Sequence, residues 1–269
     1  MTKIIITADD FGRSHERNLA IDYAYKEGLI SSIGLLINSK YTSEAIDLAR
    51  KGGYTAHLHC HLNIASGAIS GYSTPLSDTL KASKAFCING DFLDSRKTNF
   101  SNTFNPNNWR AVYDEIEKQY LRFIELTESV GNAKHIDFHL WQNYRFPVAK
   151  ALNEFINSYD IASFRRNGIQ HAKKYGLKYK IMRDASNLFY SKGSCKMISS
   201  SGIDYYLRNG LKKEGNNYDI FELFVHPDLT DGIIIDQTES KYTNKRFSLK
   251  THIAMLEEKT PFEMVSWEN

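Results

Sequence analysis

Short apolar runs with strand character alternate along the whole chain with longer stretches whose apolar residues recur at helical spacing. Ile4 to Thr7 reads as a buried strand, and Glu16 to Lys26 follows as a helix, with Leu19, Ala20, Tyr23 and Ala24 at helical spacing and Gly28 as its C-terminal cap. The pair recurs: Ile33 to Ile37 is strand-like, Ser43 caps a helix from Glu44 to Lys51, and Gly52-Gly53 stops it. Tyr54 to Ile64 alternates like a third strand. Trp109 to Val130 carries a long helical pattern ended by Gly131, His135 to His139 reads as a strand, and Pro147 suits the first turn of a helix reaching Tyr159. Ile161 to Phe164, Asp219 to Val225 and Phe262 to Trp267 complete the strands, while Ile203 to Lys213 and Phe247 to Glu258 read as helices. Such alternation predicts an α/β fold with a parallel sheet and helical crossovers, doubly wound or closed as a barrel, in one domain over residues 1–269. One segment breaks the rhythm. Residues 65–108 are rich in Ser, Asn, Gly and Thr, and so long a loop in a compact domain reads as a substrate-covering insertion.

Charge and composition narrow the function classes. The 269 residues carry 34 basic and 31 acidic side chains, a formal charge of +3, too nearly balanced for a dedicated nucleic-acid binder. With 42% hydrophobic and 24% charged residues the chain can bury a sizeable core, which excludes global disorder. No apolar run reaches the ~18 residues of a membrane span, and the start of the chain is shorter than the roughly 7–15-residue apolar region of a signal peptide. Three scattered cysteines, Cys60, Cys87 and Cys195, make no disulfide framework. A reduced, cytoplasmic protein without membrane or nucleic-acid partners is expected.

The chemistry gathers at strand ends. Ala8-Asp9-Asp10-Phe11-Gly12 stands where a nucleotide-binding fold would carry a glycine-rich phosphate loop, which shifts the reading from nucleotides to metal. Asp9 and Asp10 close the first strand, the end at which parallel α/β folds place reactive groups. Their side chains are expected to diverge, one holding a cation and the other acting as a base; an Asx turn or helix cap is the competing explanation. His57, His59 and His61 are spaced by two on the third predicted strand and share a face, with His61 nearest the carboxyl end. His135, Asp137 and His139 repeat the device. A single histidine on a strand is usually a satisfied core or surface residue, but two such strands beside a carboxylate offer the N and O donors that a catalytic divalent ion takes. Phe221 to Val225 is another apolar strand that ends in a histidine, His226, fixed by Pro227. His15, His171 and His252 lack such a context.

Taken together, Ile6-Thr7-Ala8-Asp9-Asp10-Phe11-Gly12, His61-Leu62-Asn63-Ile64-Ala65-Ser66-Gly67, His135-Ile136-Asp137-Phe138-His139 and Glu222-Leu223-Phe224-Val225-His226-Pro227 resemble, in order and spacing, the signature blocks of the YdjC-like carbohydrate deacetylases, which include the chitooligosaccharide deacetylases. The resemblance implies an irregular (β/α) barrel related to polysaccharide deacetylases, with one divalent ion, magnesium or zinc, held by Asp10, His61 and His139. It further implies Asp9 as general base, His226 as general acid, an N-acetylated sugar as substrate and, by analogy only, a homodimer. Three positions depart from the family pattern. Trp141 stands where a further histidine is usual, His59 replaces a glycine and is a rival ligand, and Asp228 replaces a glycine after the His-Pro pair.

On this reading Asp137 either orients a ligand or makes a structural hydrogen bond, and Arg165 or Arg166 binds substrate or steadies Asp9. Two other function classes remain. One is an amidohydrolase-type metal hydrolase, since His57-x-His59 and His59-x-His61 fit that group's pattern, although the first strand ends in Asp-Asp and no bridging lysine is evident. The other is a non-catalytic sugar-binding protein on the same barrel, against which the retention of Asp9 and His226 speaks.

Overall fold

The β-branched amino-terminal run forms Thr2–Phe11 (β1), the longest described strand of the computed structural model. The structure describes residues 2–66, 72–94, 106–128, 134–165, 195–209, 220–237 and 247–267, with a few more between 177 and 188. After β1 come Ser32–Leu35 (β2), Leu58–Leu62 (β3), His135–Phe138 (β4), Ser163–Arg165 (β5), Lys196–Ile198 (β6), Ser200–Gly202 (β7) and Ile220–Val225 (β8). They pair in the order β6-β5-β4-β3-β2-β1-β8-β7, every neighbour parallel. The two ends of that order, β6 and β7, are separated in the chain by Ser199 alone. The sheet therefore curls into a nearly closed, barrel-like ring. Pro227–Thr230 (β9) and Ile233–Asp236 (β10) form a separate antiparallel hairpin, and Phe262–Met264 (β11) pairs with the start of β1.

Helices His15–Lys26 (α1), Thr42–Gly52 (α2), Pro106–Thr127 (α3), Phe146–Ser158 (α4), Ile203–Asn209 (α5) and Leu249–Lys259 (α6) flank the ring. Alternation along each strand divides the side chains into two sets. Ile4, Ile6, Ala8, Cys60, Leu62, Ile136, Phe138, Phe164, Leu223 and Val225 join the apolar core with the helices. Each large aliphatic side chain buried there contributes about 1.5–3 kcal/mol. The alternate residues Thr7, Asp9, His59, His61, Asp137 and Arg165 are equally buried but pair with one another and with Glu222, and His135 beside them bonds Ser163, so the interior of the ring is largely polar.

Local chemistry moves some expected boundaries. His57 is not on a strand: Thr55–His57 is a 3-10 turn, closed by the His57 N–H on the Tyr54 carbonyl, and the third strand begins only at Leu58. The second helix starts at Thr42, ahead of Ser43, whose side chain caps nothing. Within residues 65–108 the described part holds a short helix, Asp78–Lys81, and a hairpin, Cys87–Ile88 with Asp91–Phe92, turned by Asn89 and Gly90 at φ 52° and 85°. Asp228 takes a strand conformation in β9 and needs no glycine. Among the described residues no helix is long and apolar enough to cross a membrane.

Glu115 on α3 docks the stretch that follows residue 71. Its carboxylate accepts the N–H groups of Leu76 at 2.8 Å and Ser77 at 2.7 Å, and Gln119 Nε2 at 2.6 Å. Burial pushes this carboxyl up from its ordinary 4.5 to about 7, against the pull of those bonds. A folded-state value above the unfolded one means that the stability it confers is complete below about 4.5 and is lost as pH rises through about 7. Glu115→Gln is expected to remove about 3 kcal/mol of pH dependence across that interval. Urea unfolding of both proteins at pH 5 and pH 8 checks this, and a gap that is the same at both pH values overturns it.

Candidate metal centre

Two consecutive strand residues normally face opposite ways, yet Asp9 and Asp10 are both buried at the end of β1. The pairing of β1 with β2 slips between Ala8 and Phe11, and Asp10 sits at φ 73°, in the left-handed region that Asp tolerates better than most residues. The bulge turns the Asp10 carboxylate back to the same mouth as Asp9, so the expected divergence is a strand kink. Gly12 completes it at φ 96°, where a Cβ would meet the Leu36 carbonyl oxygen at 3.0 Å. Strain of this kind is characteristic of functional sites.

Asp10, His61 and His139 each offer a ligand atom within 4.8 Å of the others. His139 Nδ1 lies 2.7 Å and His61 Nε2 3.5 Å from Asp10 Oδ1. Buried polar atoms are almost always hydrogen-bonded, but Asp10 Oδ1 and His61 Nε2 have no such partner. Their remaining atoms are held: Asp137 Oδ1 takes His61 Nδ1 at 2.5 Å, and Arg13 Nη1 donates to Asp10 Oδ2 at 2.7 Å. Burial opposes charge on His61, yet Asp137 and Asp9 lift it to about 10. A cation would displace that proton, the coupling expected of a histidine ligand. Burial raises the Asp10 carboxyl, but His139, His61 and Arg13 outweigh it and hold it well below the usual range. Burial depresses His139, which favours the neutral ring that ligates. The donor set fits a divalent ion. Asp9, Asp10, Asp137 and Glu222, all buried, face Arg13 and Arg165, and two further positive charges would neutralise them.

A rival set, Asp9, His61 and Asp137, is geometrically as close. It is already neutralised. Arg165 grips Asp9 with two bonds, Nη1 to Oδ2 at 2.6 Å and Nη2 to Oδ1 at 2.8 Å, and its Nη2 is 2.7 Å from Asp137 Oδ2 and 2.7 Å from Glu222 Oε1. A guanidinium about 4 Å from a cation held by those oxygens would repel it by about 4 kcal/mol per unit charge at an effective dielectric near 20. His59, the sequence's rival ligand, belongs to neither set: its Nε2 is 3.3 Å from Asp137 Oδ2 and its Nδ1 3.0 Å from Ser32 Oγ. Gly34 makes that possible, since a Cβ there would come within 3.3 Å of His59 Nε2. Asp137 backs His61, its cross-strand partner in the β3–β4 register, and not His139, which lies just past the end of β4 as the first residue of a 3-10 turn, His139–Tyr144, where the sequence pattern continues the strand.

His226 follows β8 at the same mouth, its Nε2 3.9 Å from Asp9 Oδ2. Arg17 fixes its loop from α1 through bonds to the Pro227 carbonyl at 2.5 Å and Gln237 Oε1 at 2.6 Å, while Asp236 Oδ1 accepts the His226 N–H at 3.0 Å. Burial lowers the His226 ring to about 4, although Asp10 and Asp9 pull the other way. It is therefore neutral near pH 7. His15 lies at the surface on Glu44, and His252 is buried in α6 beside Phe247, so neither joins the site. His171, Arg166 and the Trp141 side chain lie outside the described residues.

Arg13, Arg17 and Tyr72 were not singled out by the sequence. Arg13 has a local signal, three residues after Asp10; Arg17 and Tyr72 have none, because their partners lie 210 and 67 residues away.

The profile of the YdjC-like protein family matches residues 3–260. Carbohydrate deacetylase 2 of Listeria innocua is 27% identical over 244 residues, covering 88% of this chain and 84% of that protein. A carbohydrate deacetylase of Clostridium beijerinckii is 25% identical over 242 residues, covering 89% and 87%. Among solved structures, an Enterococcus faecalis V583 protein whose name links it to cellobiose-phosphate cleavage superposes with a TM-score of 0.64 at 18% identity, over 98% of this chain and 97% of that one, a likeness of fold.

Proposed function

Because the chain belongs to the YdjC-like family, we propose that it is a divalent-metal-dependent carbohydrate deacetylase, removing the N-acetyl group from an acetylated amino sugar or a chitooligosaccharide-type oligosaccharide. The observation that carries the reading is the convergence of Asp10 Oδ1 and His61 Nε2, buried and without hydrogen-bond partners, on His139 Nδ1. Asp10, His61 and His139 would hold one ion, magnesium or zinc, since two imidazoles and a carboxylate suit both. An ion there supplies Lewis acidity toward water and toward the acetyl carbonyl.

The protein's own groups handle the protons. Asp9, held in one orientation by Arg165, takes a proton from the attacking water. His226 protonates the departing amine. Being neutral near pH 7 it must first receive that proton, and Asp9 at 3.9 Å is the nearby source. The amine leaves neutral with the proton relayed from water, and the acid formed beside it gives its remaining proton to solvent and departs as acetate. A two-ion amidohydrolase reading is disfavoured by Arg165, whose guanidinium already neutralises the second set of ligand atoms. The presence of both Asp9 and His226 disfavours a purely sugar-binding role.

The test is acetate release from a panel of N-acetylated mono- and oligosaccharides by metal-stripped protein, before and after adding divalent ions, with bound metal counted. One ion per chain and strictly ion-dependent acetate are expected. One bound ion with no acetate from any sugar would overturn the deacetylase reading, and two ions per chain would revive the amidohydrolase one.

A further inference from the structure

The two histidines of the candidate centre are backed by different chemistry. His61 rests on the Asp137 carboxylate, whereas His139 Nε2 lies 2.8 Å from the hydroxyl of Tyr72. Tyr72 is 4% exposed, and its ring meets that of His139 edge-on, with 6.1 Å between centroids. The Arg13 guanidinium lies 5.5 Å from the Tyr72 centroid while Arg13 holds Asp10. One residue thus touches the first ligand and covers the arginine that orients the second.

We infer that Tyr72 is a positioning residue of the metal centre, so that the stretch carrying it is part of the ion's cradle and not only a cover for substrate. The inference rests on the one-ion reading above. The stretch is pinned for such a role: Lys40 N–H donates to the Tyr72 carbonyl at 3.1 Å, Thr74 N–H to the Asn38 carbonyl at 3.0 Å, and Asn63 Nδ2 to Ser73 Oγ at 2.8 Å. With the Glu115 bonds to Leu76 and Ser77, it is tied to the loops after β2 and β3 and to α3.

A hydroxyl suits this position for a reason that a carboxylate or an ammonium does not share. His139 Nδ1 lies 2.7 Å from Asp10 Oδ1 without a hydrogen bond to it, and whether Nε2 donates to the Tyr72 hydroxyl or accepts from it depends on the ring's tautomer. To hold an ion, Nδ1 must present its lone pair, the ring proton must sit on Nε2, and the partner there must accept. An ionised carboxylate only accepts and an ammonium only donates, whereas a phenol does both. Tyr72 therefore supports either tautomer of His139 without moving, and the ring's net charge is unchanged.

The experiment uses the full chain, wild type and Tyr72→Phe, with zinc affinity measured by chelator competition and the His139 ring followed by nitrogen NMR with and without zinc. In the zinc-bound wild type the ring proton is expected on Nε2, facing the Tyr72 hydroxyl. Tyr72→Phe is expected to weaken zinc binding roughly 10–100-fold. A variant that binds zinc as the wild type does, or a zinc-bound wild-type ring that carries its proton on Nδ1, overturns the inference. The tautomer arm needs no variant, so poor folding of Tyr72→Phe leaves it decisive. Wild-type protein that binds no divalent ion would instead overturn the one-ion reading.

Discussion

Asp9→Asn is expected to lower kcat by roughly 10²–10⁴ while leaving the affinity for the ion nearly unchanged. The substitution keeps the shape of the side chain and removes its capacity to take a proton. Asp9 is not among the three residues proposed as ligands, and its two oxygens are committed to Arg165. The arginine keeps Asp137 and Glu222 as partners, so the ring interior stays paired and the fold should persist. The loss should appear in kcat more than in KM, because a base acts in the transition state and not in ground-state binding. Turnover near the wild-type level would remove Asp9 from the proton path. A collapse of metal affinity would make Asp9 a ligand and put the ion in the rival set with His61 and Asp137.

How much of this was legible in the sequence depended on the range over which each feature is determined. Asp9, Asp10, His61, His139 and His226 could be read because each stands at or beside the carboxyl end of an apolar run, and the alternation of parallel strands and helices implies that such ends share one mouth. Their partners could be read only as candidates, Asp137 as an orienter and Arg165 or Arg166 as the residue steadying Asp9. That Asp137 backs His61 follows from the β3–β4 register, in which those two residues are opposite, and no pattern within either strand states it. Arg165 was a candidate by position, but its hold on Asp9, Asp137 and Glu222 at once requires the sheet to curl until β5 and β8 face each other. The φ of 73° at Asp10 is likewise tertiary: the slip against β2 imposes it, where periodicity would have continued the strand. His57 shows the converse error, in which spacing by two suggested a strand face and one backbone bond to Tyr54 made a turn.

Arg165→Met is expected to destabilise the protein by at least 3–5 kcal/mol, the usual cost of removing one partner from a buried ion pair. Here one side chain serves three carboxylates. Its Nε and Nη2 bond Glu222 at 3.0 and 2.7 Å, both Nη atoms bond Asp9, and Nη2 approaches Asp137, with every group almost fully buried. Methionine fills much of the volume, so the cavity term is small and the loss is electrostatic. Two unit charges 4 Å apart at an effective dielectric near 20 repel by about 4 kcal/mol, and without Arg165 the carboxylates of Asp9 and Glu222 lose their cation while Asp137 keeps only the bond to the His61 ring. Protonation would relieve that repulsion. The freed carboxyls should titrate higher in the folded variant than in the unfolded chain, so the deficit should shrink as pH falls toward 4 and be largest at neutral pH. Adding Glu222→Gln removes one charge and should recover part of the loss, a non-additive gain that only neighbours in one network give. Urea unfolding of the wild type, Arg165→Met and the double variant at pH 5 and pH 7.5 measures all three effects. A deficit under about 1 kcal/mol that does not vary with pH would mean that water screens these groups, and that the guanidinium neither organises the ring interior nor excludes a second ion from it.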